Sequence, residues 1–454
     1  MSHRTETFYR YLVGKESAGK LDDGDASRVA TSFLTILLAQ FCTKLGDALA
    51  STKVILPAFM ASLGVPAFFT GLIVPIRESG SMLPQLVLGQ WVKRFALRKW
   101  SFVLGALLQA MSVFGIASVA WLASGFEAGV AIIILLVCFS LSRSLCSLSS
   151  KDVLGKTIPK RQRGTLMGYS ASLAGLITLA VAALVYLGGG NAEAYLNAML
   201  PSNGGVGASL GEGGAMTLLL LVSASLFLIG GLTYAAIPEK AGSTQRSDSS
   251  NKQSVWSGLA LFRNDVRFRR FVTVRALMMS SSLAAPYFIL AAMQGHAGKQ
   301  LAGVGLFIGA EGLAGLLSGR LWGGWADRNS KMVLAVTAFL TALLCALAIG
   351  LLGSDHAENL TLWFLLFLAL SLVHHGVRLG RKTYVVDMAE GDQRTDYVAV
   401  SNTAIGALLL LFGGLAAILA NHDLSWALLV FAGSSALAVW LNRTLPDLSQ
   451  ADGR

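Results

Sequence analysis

The chain has 454 residues, of which 54% are hydrophobic and only 13% are charged. Because a soluble domain carries about 25% charged residues, this composition excludes a set of soluble domains and indicates an integral membrane protein. The net charge of +11 is compatible with nucleic-acid binding, but the basic residues lie between apolar runs rather than on one domain. Cytoplasmic loops of membrane proteins are enriched in lysine and arginine, which explains the excess more simply and argues against nucleic acid as a partner.

The chain begins with a polar segment, residues 1–29, in which acidic side chains are scattered. It lacks an apolar core followed by a small-residue cleavage site, so we predict a cytoplasmic tail rather than a signal peptide. Further along, four cysteines lie singly in apolar segments without the spacing of a zinc or redox site, and we predict that all four are buried packing residues. They are Cys42, Cys138, Cys146 and Cys345.

Twelve apolar runs are long enough to cross a bilayer, which takes about 20 residues of helix. We therefore predict an all-α integral membrane fold with twelve transmembrane helices. The first run is over-long, and we expect its outer end to form a tilted extension. The predicted spans are residues 30–63, 66–92, 101–123, 129–150, 164–187, 216–237, 271–293, 303–325, 333–352, 360–377, 398–420 and 424–441.

The loops between these spans alternate in charge. The set that includes both termini holds most of the lysines and arginines, whereas the opposite set holds only Lys53 and Lys299 beside six acidic residues. The positive-inside rule therefore predicts that both termini are cytoplasmic, in a multi-pass protein of the cytoplasmic (inner) membrane.

Residues 238–270 separate the first six spans from the last six, and their first part is polar and rich in serine. We predict a cytoplasmic linker there whose polar first part is disordered. Its second part, from residue 256 to 271, is either an amphipathic helix on the inner leaflet or a basic extension of span seven. The predicted domains are a six-helix bundle over residues 30–237, a second six-helix bundle over residues 271–443 and a cytoplasmic tail over residues 444–454.

The two halves repeat one another at several places. Pro57 in span one parallels Pro286 in span seven. At a constant offset of 234, Gly71 and Trp91 fall on a glycine and a tryptophan of span eight, and Arg77 falls on an acid, Glu311. A third match, at an offset of 231, joins the ends of spans four and ten. In transporters, such parallel repeats place the binding site near the membrane midplane between the halves.

Six plus six spans, a central linker and the sequence GRLWGGWADRNSK (residues 319–331) resemble the major facilitator superfamily and its G-x-x-x-D-R loop motif. The sequences TIPKRQRGTLMGY after span four and DMAEGDQRTDYVA after span ten are similar to the family's second loop signature. The resemblance covers nearly the whole chain. It implies a secondary transporter in which two six-helix bundles rock around a midplane cavity.

The resemblance also implies a cytoplasmic gate in which Asp327, beside Arg328, contacts Arg378 or Arg381 and the start of span five near Arg163. Two departures from the family pattern stand out. Lys93 occupies the place where the loop motif of the first half usually has an aspartate, so the stronger gate is expected in the second half. Span five lacks the Gly-Pro-rich signature of drug antiporters, which argues against multidrug efflux.

Charged residues within the apolar spans indicate a polar site, because a charge in the bilayer core is costly unless it is paired or lines a wet cavity. Arg77 and Glu78 lie in the middle of span two, and we expect at least one of them to face a partner on another span, Asp47 or Lys44 on span one being the nearest candidates. Lys44 and Asp47 on span one are three residues apart and so share a face, either lining the cavity or forming a structural pair. The predicted cavity residues are Lys44, Asp47, Arg77, Glu78, Arg275 and Glu311.

Three residues are candidates for proton coupling. Glu311 is a carboxyl in an apolar span, although it could equally serve as a partner for Arg275. His374 and His375 titrate near neutral pH, although a histidine pair near a helix end is more often an interface feature. No third ligand accompanies them, and P-loop, HExxH and nucleophile-elbow motifs are absent from the sequence. We therefore predict no metal, no cofactor and no enzymatic activity.

Three positive groups in the predicted cavity favour a small anionic or zwitterionic organic solute. We predict a proton-coupled secondary transporter that acts as a monomer in the lipid bilayer. One alternative is proton-driven efflux of amphipathic cations, with Asp47, Glu78 and Glu311 as binding charges. A second alternative, from another class, is a membrane sensor that does not transport, although such a sensor is expected to carry a folded cytoplasmic domain.

Overall fold

The computed structural model describes Tyr9 and residues 23–84, 88, 91–92, 94–188, 214–239, 241, 264–294, 300–388 and 393–446. Over these residues the secondary structure is helical, and nine helices are long and apolar enough to span a membrane. The helices are α1 (Asp23–Leu49), α2 (Ile55–Ser62), α3 (Ala67–Met82), α4 (Lys99–Leu122), α5 (Gly125–Thr157), α6 (Lys160–Gly188), α7 (Gly214–Ala235), α8 (Val266–Leu277), α9 (Ser280–Leu283), α10 (Ala285–Met293), α11 (Gln300–Arg328), α12 (Ser330–Leu352), α13 (Leu360–Met388), α14 (Gln393–Ala420) and α15 (Leu424–Asn442).

The predicted all-α membrane fold is confirmed, and over the described residues the helices are consistent with the positions of the predicted spans. Large apolar side chains such as Met111, Phe114 and Leu122 are exposed along α4. That pattern suits a helix whose outer surface faces lipid rather than water. One smaller prediction is wrong: Cys138 is exposed, whereas Cys42, Cys146 and Cys345 are buried as expected.

Spans one and seven are both broken near their middle. The first breaks between Leu49 and Ile55, so the predicted extension is a separate helix, α2. The second breaks into α8, α9 and α10. Pro57 and Pro286 follow the two breaks closely, and a proline lacks the N–H group that would continue the helical hydrogen bonds of the preceding turn. The breaks leave backbone outside regular helix, which is tolerated within a membrane only where it is buried in protein or lines a cavity. The short polar side chains there, among them Ser51, Thr52 and Ser282, are buried.

The first seven helices pack mainly on one another, as do α8 to α15, and the two halves meet along two long crossings. Helix α3 packs on α14, and α6 packs on α11. In addition, α2 packs on α10 and α11 at the ends of the broken spans.

Gly71 and Gly305, which the repeat aligns, lie at these two crossings. A Cβ atom on Gly305 would lie 2.7 Å from the backbone nitrogen of Tyr186 on α6. A Cβ atom on Gly71 would overlap the hydroxyl of Tyr287 and lie 2.9 Å from the Cα atom of Ala417 on α14. The repeated glycines therefore let helices of opposite halves approach closely.

Glu239, at the start of the predicted linker, is anchored rather than free. Its carboxylate accepts hydrogen bonds from the backbone N–H groups of Arg98 (3.1 Å) and Lys99 (2.8 Å) at the start of α4, and from Lys156 Nζ (3.1 Å). A carboxylate at a helix N-terminus satisfies free N–H groups and interacts well with the helix dipole. Asp152 completes the network through ion pairs with Arg98 and Lys156.

The predicted basic extension of span seven is observed for residues 266–270, since α8 begins at Val266. Asp265 caps the helix by accepting hydrogen bonds from the N–H groups of Arg267 (2.8 Å) and Phe268 (3.0 Å). The earlier part of the predicted amphipathic segment, residues 256–263, lies outside the described residues, and the proposed domain boundaries otherwise stay predictions.

Candidate functional site

A cavity of about 740 Å³ lies between the two halves, beside the breaks in spans one and seven. Its walls come from α1, α3, α5 and α6 on one side and from α11, α13 and the α8–α10 series on the other. The charged side chains that line it are Asp47, Lys53, Arg77, Glu78, Arg143, Glu311, Arg378 and Arg381.

Asp47 on α1 is the centre of a cluster in the first half. Its Oδ1 atom accepts a hydrogen bond from Arg77 Nη2 at 3.0 Å and another from Arg143 Nη1 on α5. Arg77 also donates through Nη1 to Thr52 Oγ1 at 2.9 Å and lies over the ring of Phe139. The predicted partner of Arg77 on span one is therefore confirmed as Asp47. One carboxylate orients two guanidinium groups, and such charge-assisted bonds are stronger than neutral ones.

Glu78 follows Arg77 on α3 and also lines the cavity. The positive groups that act on it most strongly are Arg77 and Arg143, followed by Arg381 across the cavity. Together with Asp47, the cluster in the first half thus holds two carboxylates and two guanidinium groups, and its formal charges cancel.

Glu311 on α11 faces the break in span one. Its Oε2 atom accepts a hydrogen bond from Ser51 Oγ at 3.2 Å, and its Oε1 atom lies 3.8 Å from Lys53 Nζ. Lys53 was assigned from its sequence position to an outer loop, and that assignment is wrong, because the lysine lies on the cavity wall. The repeat partner of Arg77 is therefore joined to the opposite half by an ion pair.

Arg378 and Arg381 lie three residues apart on α13 and both line the cavity. Arg381 Nη1 lies 3.2 Å from Met279 Sδ, a weak acceptor. Arg275 lies close enough to Arg381 for the two charges to repel. Arg275 is 8% exposed and donates to Ser401 Oγ and, at 2.9 Å, to Asn402 Oδ1. The guanidinium groups of Arg275 and Arg381 thus contact neutral acceptors.

His374 and His375 lie one turn deeper on α13 and also line the cavity. The Nδ1 atom of His374 is 3.0 Å from Ser281 Oγ on α9. A hydrogen bond there fixes the ring of His374 against the broken part of span seven. In the part of the chain that the structure describes, no group of three or more histidine, cysteine or acidic side chains could hold a metal ion.

The structure brings together most of the predicted cavity residues but not all of them. Lys44 Nζ donates to Ser170 Oγ at 2.6 Å, and neither Lys44 nor Arg275 belongs to the described lining. The predicted alternative of a Glu311–Arg275 pair is not observed, since Glu311 pairs with Lys53.

The predicted gate is described only in part. Arg378 and Arg381 face the cavity, and Arg328 is exposed at the end of α11. The side chains of Asp327 and Arg163 lie outside the described residues, so their contacts stay a prediction.

Arg143 is the most important cavity residue that the sequence analysis did not predict. It lies within predicted span four, where a single charge among apolar residues carries the same signal as Arg77. Lys53 was missed because the break in span one was not predicted, so the lysine was counted with a loop.

Over the described lining, five cationic side chains face three carboxylates, which leaves two positive charges in surplus. Serine and threonine hydroxyls from Ser51, Thr52, Ser81, Thr178 and Ser282 add neutral donors and acceptors. Such a cavity suits a polar ligand of net negative charge.

The Major Facilitator Superfamily model matches residues 36–377. Among solved structures, a D-xylose-proton symporter is similar over 93% of this chain and 99% of its own, with a TM-score of 0.64 and 13% identity. The nucleoside transporter NupG is similar over 91% of this chain and 98% of its own, with a TM-score of 0.62 and 13% identity. A bacterial homologue of the human lysosomal transporter Spinster, in an inward-facing and occupied conformation, is similar over 91% of this chain and 95% of its own, with a TM-score of 0.61 and 11% identity. Among curated proteins, none matches this chain in sequence.

Proposed function

Because the chain belongs to the major facilitator superfamily, we propose that it is a secondary transporter that carries a small anionic or zwitterionic organic solute by alternating access. The observation that supports the substrate class is the surplus of two positive charges on the described cavity wall. A solute with negative charge would offset this surplus when the halves close around it, whereas a cationic solute would add to it. We further propose that the protein is a monomer in the cytoplasmic membrane with both termini in the cytoplasm.

The contacts between the halves suggest which face the cavity opens to. Helix α2 packs on α10 and α11, and α10 also packs on α3. These contacts lie at the ends of spans one and seven, on the face that the positive-inside rule assigns to the outside. We therefore propose that the structure represents an inward-facing conformation. In it, the outer ends of the halves are closed and the solute site is reached from the cytoplasm.

Glu311 is the proposed proton-coupling carboxyl. It is held by Lys53 and Ser51 at the break between α1 and α2, so it joins the two halves in this conformation. Protonation of Glu311 would remove its attraction to Lys53 and leave the ammonium group available to an anion. Proton binding and solute binding would then favour each other, as linkage requires of a symporter.

Proteoliposomes that contain the full chain, with an imposed pH gradient, test this proposal. Uptake or release of labelled solutes is measured for a panel of organic anions, zwitterions, neutral sugars and amphipathic cations. We expect accumulation of one or more anions or zwitterions that depends on the gradient. Transport of cations without transport of anions or zwitterions would contradict the proposed class, and no solute-dependent flux at all would favour a sensor.

The role of Glu311 is tested with Glu311→Gln. We expect the variant to lose accumulation driven by the pH gradient while it retains exchange of solute between the two sides, because the proposed coupling carboxyl is gone but the cavity remains. Glu127→Gln, at an exposed acid near the start of α5, is the matched control and should behave as wild type. If Glu311→Gln still accumulates solute on a pH gradient, Glu311 is not the coupling group.

A further inference from the structure

The surplus charge of the cavity is concentrated on α13. Asp47 accepts hydrogen bonds from Arg77 and Arg143 in the first half, and Glu78 lines the same wall, so the formal charges of these four side chains cancel. The pair Lys53 and Glu311 is neutral as well. When these groups are set aside, the cationic side chains that remain on the described lining are Arg378 and Arg381.

These two arginines are placed to act together. Positions three apart lie on one face of a helix, and both side chains reach the cavity. Over the described residues, no carboxylate oxygen lies within ion-pair distance of either guanidinium group. The contact of Arg381 with the sulfur of Met279 satisfies one N–H donor but supplies no negative charge.

Arg275 strengthens the positive potential at this wall. Its guanidinium is buried and is held by the neutral oxygens of Ser401 and Asn402, and its positive charge interacts with that of Arg381. Its Nε atom is buried without a hydrogen-bond partner. A third arginine thus adds its positive charge to that of the two arginines that line the cavity. None of the three is paired with an acid in the described part of the chain.

We propose that Arg378 and Arg381 form the anion subsite of the cavity and select a small organic solute with two negative charges, either a dicarboxylate or a phosphate monoester. This inference rests on the proposed function, namely that the cavity binds the transported solute. Two charges offset the surplus of the cavity in which Glu311 is ionised, whereas a monoanion leaves one of those charges uncompensated as the halves close. The planar guanidinium group binds carboxylate and phosphate oxygens through two parallel hydrogen bonds.

The test is a charge series of ligands on the full-length protein in detergent, at pH 7.5. The probes are succinate, glycerol 3-phosphate, butyrate and glycerol, and the half-saturating concentration is read from the rise in unfolding temperature. We expect at least one of the two dianions to bind about tenfold or more tightly than butyrate, and glycerol to have no effect. Binding of succinate alone would identify a dicarboxylate, and binding of glycerol 3-phosphate alone would identify a phosphate ester.

Variants assign the preference to the two arginines. Arg378→Gln and Arg381→Gln should each weaken binding of the dianion by about 10-fold to 100-fold. Binding of butyrate should weaken less, so that the ratio of the two affinities becomes smaller. Arg378→Lys keeps the charge and should keep the preference for dianions. The matched control is Arg443→Gln, at an exposed arginine after α15, which should bind as wild type.

Two results overturn the inference. One is equal affinity for butyrate and for both dianions in the wild-type protein, a measurement that does not depend on any variant folding. The other is an unchanged preference for dianions in both glutamine variants. In either case, transport of monoanions or zwitterions would leave the proposed function intact. Transport restricted to cations, by contrast, would contradict both the proposed function and the proposed anion subsite.

Discussion

The two halves of the cavity use arginine in opposite ways. In the first half, Arg77 and Arg143 both donate to the carboxylate of Asp47. In the second half, Arg275 is held by the neutral oxygens of Ser401 and Asn402, and the arginines of α13 lack a described acidic partner. Paired charges fix geometry, whereas unpaired charges maintain a potential that a ligand can neutralise. The difference suggests that the first half supplies a rigid wall and the second half supplies the attraction for the solute.

The internal repeat allows the charged residues of the two halves to be compared position by position. The offset of 231 that aligns Leu148 with Leu379 places Ser147 opposite Arg378 and Ser150 opposite Arg381. At the same offset, Arg143 is opposite His374. The same helix in the two halves thus carries its cationic side chains at different turns.

The largest effect is expected for Asp47→Asn, which removes the carboxylate from the paired cluster. Two guanidinium groups would then face each other, and breaking a buried ion pair costs about 3–5 kcal/mol, or somewhat less here because Asp47 is partly exposed. We expect a clear fall in unfolding temperature and a loss of most of the transport activity, because Asp47 no longer holds Arg77 and Arg143 in place. Thermal unfolding in detergent and flux in proteoliposomes measure the two effects.

The double variant Asp47→Asn with Arg143→Gln is the control for charge. It removes one of the two repelling cations, so part of the lost stability should return. If Asp47→Asn unfolds and transports as wild type does, the cluster does not hold the first half of the cavity together.

A smaller effect is expected at the crossings that join the halves. In Gly305→Ala, the new Cβ would meet the backbone of Tyr186 at 2.7 and 3.0 Å, and backbone atoms cannot move aside without separating α6 from α11. Overpacking of this kind costs about 1–3 kcal/mol, so we expect transport to fall by about tenfold. Gly71→Ala should behave similarly if the two crossings are equivalent.

Gly309→Ala, one turn further along α11, is the matched control. Its nearest neighbour would be the Cβ of Ala182 at 3.7 Å, an ordinary contact. Flux and unfolding temperature close to wild type are expected for it. If Gly305→Ala transports solute at the wild-type rate, the halves do not need this close approach.

The smallest effect on stability is expected for Arg275→Gln, in the unpaired half. Glutamine can still donate to Ser401 or Asn402, and the variant loses a buried charge that has no described acidic partner. We expect an unfolding temperature equal to that of wild type or slightly higher, because the cost of desolvating the charge disappears. Anion affinity should fall by about threefold, since the positive potential at Arg381 weakens.

Arg77→Gln provides the comparison for this prediction. It removes one member of the paired cluster and should lower the unfolding temperature. If Arg275→Gln lowers the unfolding temperature as much as Arg77→Gln does, the two halves do not differ in the way that their contacts indicate.

Much of the candidate site follows from one rule applied to the sequence. Charges within apolar spans identified Asp47, Arg77, Glu78 and Glu311, and the same rule would have identified Arg143. The rule does not say which way a side chain points. Lys44 therefore passed the same test, although it bonds to Ser170 and lies away from the described cavity wall.

The sequence by itself determined the membrane class, the helices and the twofold repeat, because bilayer thickness fixes helix length and apolar runs are visible in one dimension. The breaks in spans one and seven, the place of Lys53 on the cavity wall and the partner of each charge were decided by the tertiary structure. An ion pair depends on distances between helices far apart in the chain, and composition cannot supply those distances. The concentration of unpaired positive charge on α13 emerges only when Asp47, Glu78 and Glu311 have been assigned to their neighbours in space.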